Sequence, residues 1–252
     1  MTYKCLINKR FSREDIVFET SKELKHYPEH IKQLIEDTWE KLQQSTPNPE
    51  KYLYNGIVYS LCDYKLLNDK LVLKVQPTDY KSYIGTNIQN IKIIKDKNNL
   101  ANILAACVVP ITSDDYCIVG KRSNKLAEGT AQWHVVGGTV ESKDDNLLEP
   151  EHPYDLILKE LKEEINVSEN QINDLVCTGF GLSIYNNKPE FLFKARLSIG
   201  IEQLRSIINL AKDYDEHSEY RYIKTDELNE FVSKNTFSPI GELAIKMFLE
   251  QS

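Results

Sequence analysis

Long hydrophobic runs are missing from this chain: nowhere do about eighteen consecutive apolar residues occur, the length a membrane-spanning helix needs. The opening stretch MTYKCLINKRFSRED has no apolar h-region, so no signal peptide is expected. Internal repeats and Gly/Ser- or Pro-rich linkers are absent. Cysteine is sparse: five residues (Cys5, Cys62, Cys107, Cys117 and Cys177), odd in number and never in a CxxC pair. That pattern predicts reduced thiols in a cytoplasmic protein, mostly buried as small apolar residues. Positive charge is in deficit, 31 Lys and Arg against 38 Asp and Glu, for a net charge of −7. This balance disfavours nucleic acid or a membrane surface as a partner. It would also repel a phosphate-bearing substrate unless a bound divalent cation offset the field locally.

What is present describes a globular protein. Hydrophobic residues make up 41% and charged residues 27% of 252 residues, enough for one large domain or two small ones. PEHIKQLIEDTWEKLQQS places Ile31, Leu34, Ile35, Trp39 and Leu42 at helical spacing, with Pro28 in the first turn. NGIVYSLCDYKLL and DKLVLKVQP read as a hairpin joined at LND, and TDYKSYIGTN as a polar, Gly-containing turn. The polar DKNN at 96–99 marks a boundary between domains at 1–98 and 99–252. Beyond it, ANILAACVVPI and DYCIVGKRS are strands around TSDD, and QWHVV is a short strand leading into a double glycine. HPYDLILKELKEEI is a helix with Pro153 near its start. LVCTGFGLSIYN and PEFLFKARLSI form another hairpin, and the remainder alternates helical patterns with the strand EYRYI. This order predicts a sheet clasped by helices.

The helix from His152 to Ile165 carries the chemistry. Tyr154, Leu158, Leu161 and Ile165 form an expected core stripe, and Glu160, Glu163 and Glu164 cluster on another side. Adjacent anions repel, and they stand toward the helix end whose dipole disfavours negative charge. Mg²⁺ would favour this arrangement, because it prefers carboxylate oxygens and keeps waters for a phosphate to displace. The alternative is a solvated helix face on which Lys159 and Lys162 offset the repulsion.

The segment from Gly138 to Val167 resembles the signature of Nudix hydrolases: a glycine, a glutamate, then a helix with an arginine–glutamate pair and a double glutamate. Gly138 matches the glycine, and Glu151 lies eight residues before Lys159, which stands in place of the arginine. Asn166 replaces the final glycine, a mild change at a left-handed helix end. The stretch from Gly138 to Glu151 is seven residues longer than the family's, an insertion a loop absorbs at small entropic cost. Along nearly its full length the chain is similar to the UDP-sugar diphosphatase subgroup, through TDYKSYIGTN, IEDTWEKL, KRS…GGTVE and DEHSEYRYI.

The resemblance implies an α/β (α+β) fold: a Nudix-type α/β/α sandwich with a mixed sheet, preceded by a smaller α+β domain that contributes to substrate recognition. The implied activity is Mg²⁺-dependent hydrolysis of UDP-glucose or UDP-galactose to UMP and sugar 1-phosphate, with Mn²⁺ as a substitute. The partner is then a small-molecule nucleotide sugar. A pyrophosphatase for another compound such as ADP-ribose, and a weakly catalytic nucleotide-binding protein, are the alternatives. Glu160, Glu163, Glu164, the Gly138 carbonyl and Glu151 are the implied metal ligands, and Lys159 would orient a carboxylate. Glu216, in DYDEHSE, is the candidate general base. Lys121 and Arg122 are candidates for phosphate contact, and Tyr80, Tyr83, Thr86 and Asn87 for uracil. Trp133 and His134 are assigned to packing.

Overall fold

The computed structural model describes residues 2–46, 49, 53–124, 128–143 and 149–250. Strands β1 (Tyr3–Phe11) and β2 (Ile16–Thr20) come first, then helix α1 (Glu29–Ser45) and the hairpin β3 (Ile57–Leu67)–β4 (Lys70–Asp79). Its turn residues Asn68 and Asp69 both have positive φ, 48° and 66°, as a tight two-residue hairpin turn requires. A short helix α2 (Tyr80–Tyr83) runs into a wider helical turn over Ile84–Ile88. Strands β5 (Ala105–Ile111), β6 (Tyr116–Arg122), β7 (Trp133–His134) and β8 (Val136–Thr139) precede helix α3 (Pro153–Ile165). Strands β9 (Ile172–Ser183) and β10 (Lys188–Leu197), helix α4 (Ile201–Ile207), strand β11 (His217–Lys224) and helices α5 (Leu228–Lys234) and α6 (Pro239–Glu250) complete the order.

The large sheet runs β1-β9-β10-β5-β6-β11, with β7 beside β6 and β8 beside β5. It is mixed, because β10 and β5 are parallel while its other pairs are antiparallel. Both faces are covered, and the alternation along β5 shows how. Ala106 and Val108 join a core with Leu156, Ile157, Leu161 and Ile165 of α3. Cys107, Val109 and Ile111 join a second core with Leu243, Ala244 and Phe248 of α6. This is the helix–sheet–helix layering expected of the α+β class. The second sheet, β2-β4-β3, adds Leu71, Leu73 and Val75 to the α3 side.

Three readings of the sequence change. The N-terminal β1 and β2 were not foreseen; β1 pairs with β9, so residues on both sides of the expected boundary at 98 share one sheet. As an edge strand it breaks its apolar pattern with Lys4, Lys9 and Arg10, a usual way to blunt an unpaired edge. TDYKSYIGTN ends strand β4 and is helical from Tyr80 on, with Tyr83, Ile84, Gly85, Thr86 and Asn87 all inside. The core stripe of α3 is rotated: Leu156 and Ile157 are fully buried, Tyr154 and Leu158 are half-buried, and Glu164 lies inside. The inserted loop falls partly on 144–148, outside the described residues. Among the described residues no helix is long and apolar enough to cross a membrane. All five cysteines are free, with Cys107, Cys117 and Cys177 buried and Cys5 and Cys62 exposed.

Candidate active site

Helix α3 is set by its ends and its apolar side. Pro153 occupies the first turn, where its missing N–H costs nothing. The His152 ring accepts from the Tyr154 amide at 3.3 Å. Asn166 caps the far end at φ 56°, as the Asn-for-Gly substitution anticipated. With Leu156, Ile157, Leu161 and Ile165 held in the core, Glu160 and Glu164 face strand β8. The Gly137 amide donates to Glu164 Oε1 at 3.0 Å. Next to it, a Cβ on Gly138 would stand 2.1 Å from Glu160 Oε1, so only glycine lets this carboxylate close on the strand.

Burial and crowding then act together. Burial pushes the Glu160 carboxyl up to about 8, with Glu216, Glu163 and Glu141 adding to it and Lys159 opposing. Glu164 is raised well above the ordinary carboxylate range by burial, then by Glu160 and Glu216. Its Oε2 is buried with no hydrogen-bond partner, an arrangement that costs free energy unless something fills it. These residues fit a hard divalent cation: the donors are all oxygen, and Mg²⁺ is commonly held by one or two carboxylates plus water and substrate phosphate. Glu163 is placed differently, its carboxylate 2.7 Å from Lys212 at the rim. Among the described residues, no group of three or more His, Cys, Asp or Glu side chains is arranged to hold a metal.

Behind Glu164 stands a network that the sequence did not reveal. The Tyr220 hydroxyl donates to the Glu164 backbone carbonyl at 3.0 Å, so its oxygen is left to accept from His217 Nδ1 at 3.1 Å. His217 Nε2, 3.7 Å from Glu164 Oε2, therefore carries the lone pair. Burial, then Arg122, lowers this imidazole to about 3, so it is neutral. Its ring lies against Gly120, where a Cβ would meet it at 2.1 Å.

Above these groups opens a cavity of about 430 Å³ whose wall includes Gly137, Gly138, Glu160, Glu216, Arg122 and Tyr80. Glu216 reaches it from the turn before β11, its carboxyl raised by burial against the opposing charge of Arg122. The Arg122 Nε donates to the Glu128 carbonyl at 3.1 Å. A second charged group in the same wall escaped the sequence reading: Lys188 lies 3.3 Å from Glu128 and 3.9 Å from Glu190. Burial carries Glu190 up to about 7, with Lys188 the largest opposing influence. Arg122 is within electrostatic reach of both groups. The signal in the sequence was the polar alternation of KPEF at the start of an otherwise apolar strand.

Other candidates are placed elsewhere. Lys121, on the opposite side of β6 from Arg122, lies 5.9 Å over the Trp133 ring. Tyr83 is fully buried, and its hydroxyl accepts from Asn186 Nδ2 at 2.9 Å. Thr86 donates to the Ser82 carbonyl, and Asn87 accepts from the Ala101 amide and donates to the Asn186 carbonyl. These three tie the N-terminal segment to the β9–β10 turn and stand apart from the cavity wall. The inserted loop is closed at its base: the Lys143 amide donates to Glu149 and the Glu151 amide to Glu141, both at 2.8 Å. Glu151 is thereby returned to Lys159, at 3.5 Å, with Glu141 at 3.7 Å from the same ammonium. Trp133 does pack, edge-on against Phe231. His134 is buried, meets Ser238 Oγ at 2.5 Å and also lines the cavity.

No family model matches the chain, and no curated protein matches it. Solved structures with a similar chain path include Tm1382, 15% identical with a TM-score of 0.47 over 79% of this chain and 100% of that one. The Nudix domain of Shewanella oneidensis NrtR in complex with ADP-ribose is 17% identical, with a TM-score of 0.42 over 66% of this chain and 98% of that one; NrtR is also seen with a 27mer DNA. A C. elegans Ap4A hydrolase is 15% identical, with a TM-score of 0.39 over 59% of this chain and 99% of that one.

Proposed function

We propose that this chain is a Nudix-type hydrolase that cleaves the diphosphate bond of UDP-sugars such as UDP-glucose and UDP-galactose, giving UMP and a sugar 1-phosphate with Mg²⁺ or, in its place, Mn²⁺. The observation that carries the reading is the closure of Glu160 and the buried Glu164 onto the Gly137–Gly138 strand, with Glu160, both glycines and Arg122 lining one cavity. The UDP-sugar assignment rests on the sequence resemblance.

Glu160 and Glu164 would hold the cation, with the Gly138 carbonyl beside them. When bound, the ion lowers the pKa of water and offsets phosphate charge. The rest falls to the protein. Arg122, in the same cavity wall, binds phosphate oxygens through its guanidinium fork. Glu216, which lines the same cavity, would accept a proton from the attacking water. Lys159 bridges Glu141 and Glu151, fixing α3 against the base of the inserted loop. His217 and Tyr220 hold the Glu164 end of the helix against β11.

The test is a panel of UDP-glucose, UDP-galactose, ADP-ribose and Ap4A with Mg²⁺ or Mn²⁺, following phosphate-containing products. Turnover confined to UDP-sugars supports the assignment. ADP-ribose hydrolysis without UDP-sugar hydrolysis moves the substrate to the alternative, and no turnover of any compound overturns the enzymatic reading.

A further inference from the structure

Asn186, at the tip of the β9–β10 turn, lines the cavity yet is only 3% exposed. Its Nδ2 donates to the Tyr83 hydroxyl oxygen and to Glu128 Oε1, which uses both of its hydrogens. The amide is therefore held in one orientation, since reversing it would press Oδ1 against the Glu128 carboxylate. Glu128 itself is well satisfied, by Tyr83, Lys188 and Asn186. What remains is Asn186 Oδ1, a buried acceptor with no donor. Such an atom costs stability unless a ligand supplies the hydrogen.

Two exposed tyrosines line the same cavity. Tyr185 is 67% exposed and Tyr54 72%, among the most exposed large apolar side chains of the described residues, and both belong to the cavity wall. They come from separate parts of the chain, Tyr185 from the β9–β10 turn and Tyr54 from the segment before β3. Tyr80, also in the wall, lies deeper. Exposed aromatic faces in the wall that also holds Asn186, with its unpaired acceptor, suit a flat ring that stacks on the one and donates an N–H to the other.

We infer that this end of the cavity is a nucleobase subsite, in which Tyr54 and Tyr185 stack the ring and Asn186 Oδ1 accepts from a ring or exocyclic N–H. The inference deepens the proposed function, on which it rests for the position of the phosphates. It assigns base recognition to the β9–β10 turn and Tyr54, leaving Tyr83, Thr86 and Asn87 as the scaffold beneath.

Calorimetric titration of the full chain in Mg²⁺ buffer tests it, with UMP, AMP, 3-methyl-UMP, N6,N6-dimethyl-AMP and ribose 5-phosphate as probes. The better-bound of UMP and AMP is expected to bind at least about 10-fold tighter than ribose 5-phosphate, within the stacking range. Methylating its donor should lose about 10-fold, because the acceptor is again unpaired. Tyr185→Ala should weaken the nucleotide about 10-fold and leave ribose 5-phosphate unchanged. Ribose 5-phosphate binding within twofold of both nucleotides, or a methylated base binding as well as its parent, would overturn the subsite. UDP-glucose hydrolysis measured on the same sample separates the two ideas. Turnover without base discrimination removes the subsite alone, and base discrimination without any turnover removes the hydrolase reading alone.

Discussion

Replacing Glu190 by Gln offers a quantitative check on the buried charge of the cavity. Glu190 is 6% exposed, and its carboxyl is carried from 4.5 to about 7 by burial, with Lys188 the main opposing influence. Folded Glu190 thus keeps its proton to near neutrality, whereas in the unfolded chain it ionises near 4.5. Between these values the unfolded state binds fewer protons, so this group makes stability fall as pH rises, and the fall is complete above the folded value. The full span is about 3 kcal/mol, most of which falls between pH 5 and 8. Its neighbours stay fixed in that window: the Lys188 ammonium is raised, Glu128 is lowered, and the Cys107 thiol is raised well above its ordinary value. Urea unfolding of the wild type and Glu190→Gln at pH 5, 6, 7 and 8 gives two stability curves. Other titrations, those of Glu160 and Glu164 included, largely cancel in the difference. The variant should gain about 2 to 3 kcal/mol on the wild type from pH 5 to pH 8. Curves that stay parallel within about 0.5 kcal/mol would show that Glu190 is not a buried acid, and the argument built on its surroundings would fail.

Three further outcomes are expected. Glu164→Gln should lower turnover by at least about 100-fold, since even outer partners of metal ligands cost 10–100-fold; an unchanged circular dichroism spectrum with wild-type turnover would remove Glu164 from the site. Gly120→Ala places a Cβ 2.1 Å from the His217 ring, and overpacking of about 1–3 kcal/mol should appear as a lower Tm in a thermal melt; an unchanged Tm would mean that the ring is free to move. Lys159→Ala leaves Glu141 and Glu151 without their shared cation, whereas Lys159→Arg restores a forked donor; turnover should fall in the first and be retained in the second, and equal rates would deny Lys159 its positioning role.

The helix and strand pattern was legible wherever one period ran unbroken. The hairpins around Asn68–Asp69 and Asp115 and the start and end of α3 at Pro153 and Asn166 were written in local chemistry. Strand β1 was not, because an edge strand buries little and interleaves charges. TDYKSYIGTN looked polar because its Tyr, Thr and Asn side chains gave no sign that their hydrogen bonds would be spent inside. Glu151 shows a different limit: its eight-residue spacing to Lys159 matched the resemblance, but only backbone pairing at the base of the inserted loop shows the two side chains meeting.

By itself the sequence determined that Glu160 and Glu164 share one side of a helix, since helical spacing is a property of the local backbone. It also determined that a glycine pair precedes them and that α3 ends in a left-handed residue. Only the tertiary structure decided which of the three glutamates faces the cleft, because the rotation of α3 is fixed by how Leu156, Ile157 and Leu161 pack under the sheet. It likewise gathered Lys188, Glu190, Asn186 and Tyr54 around one cavity from distant parts of the chain. Their sequence neighbours carry no trace of this, because burial and charge in a shared low-dielectric wall arise only when the strands assemble.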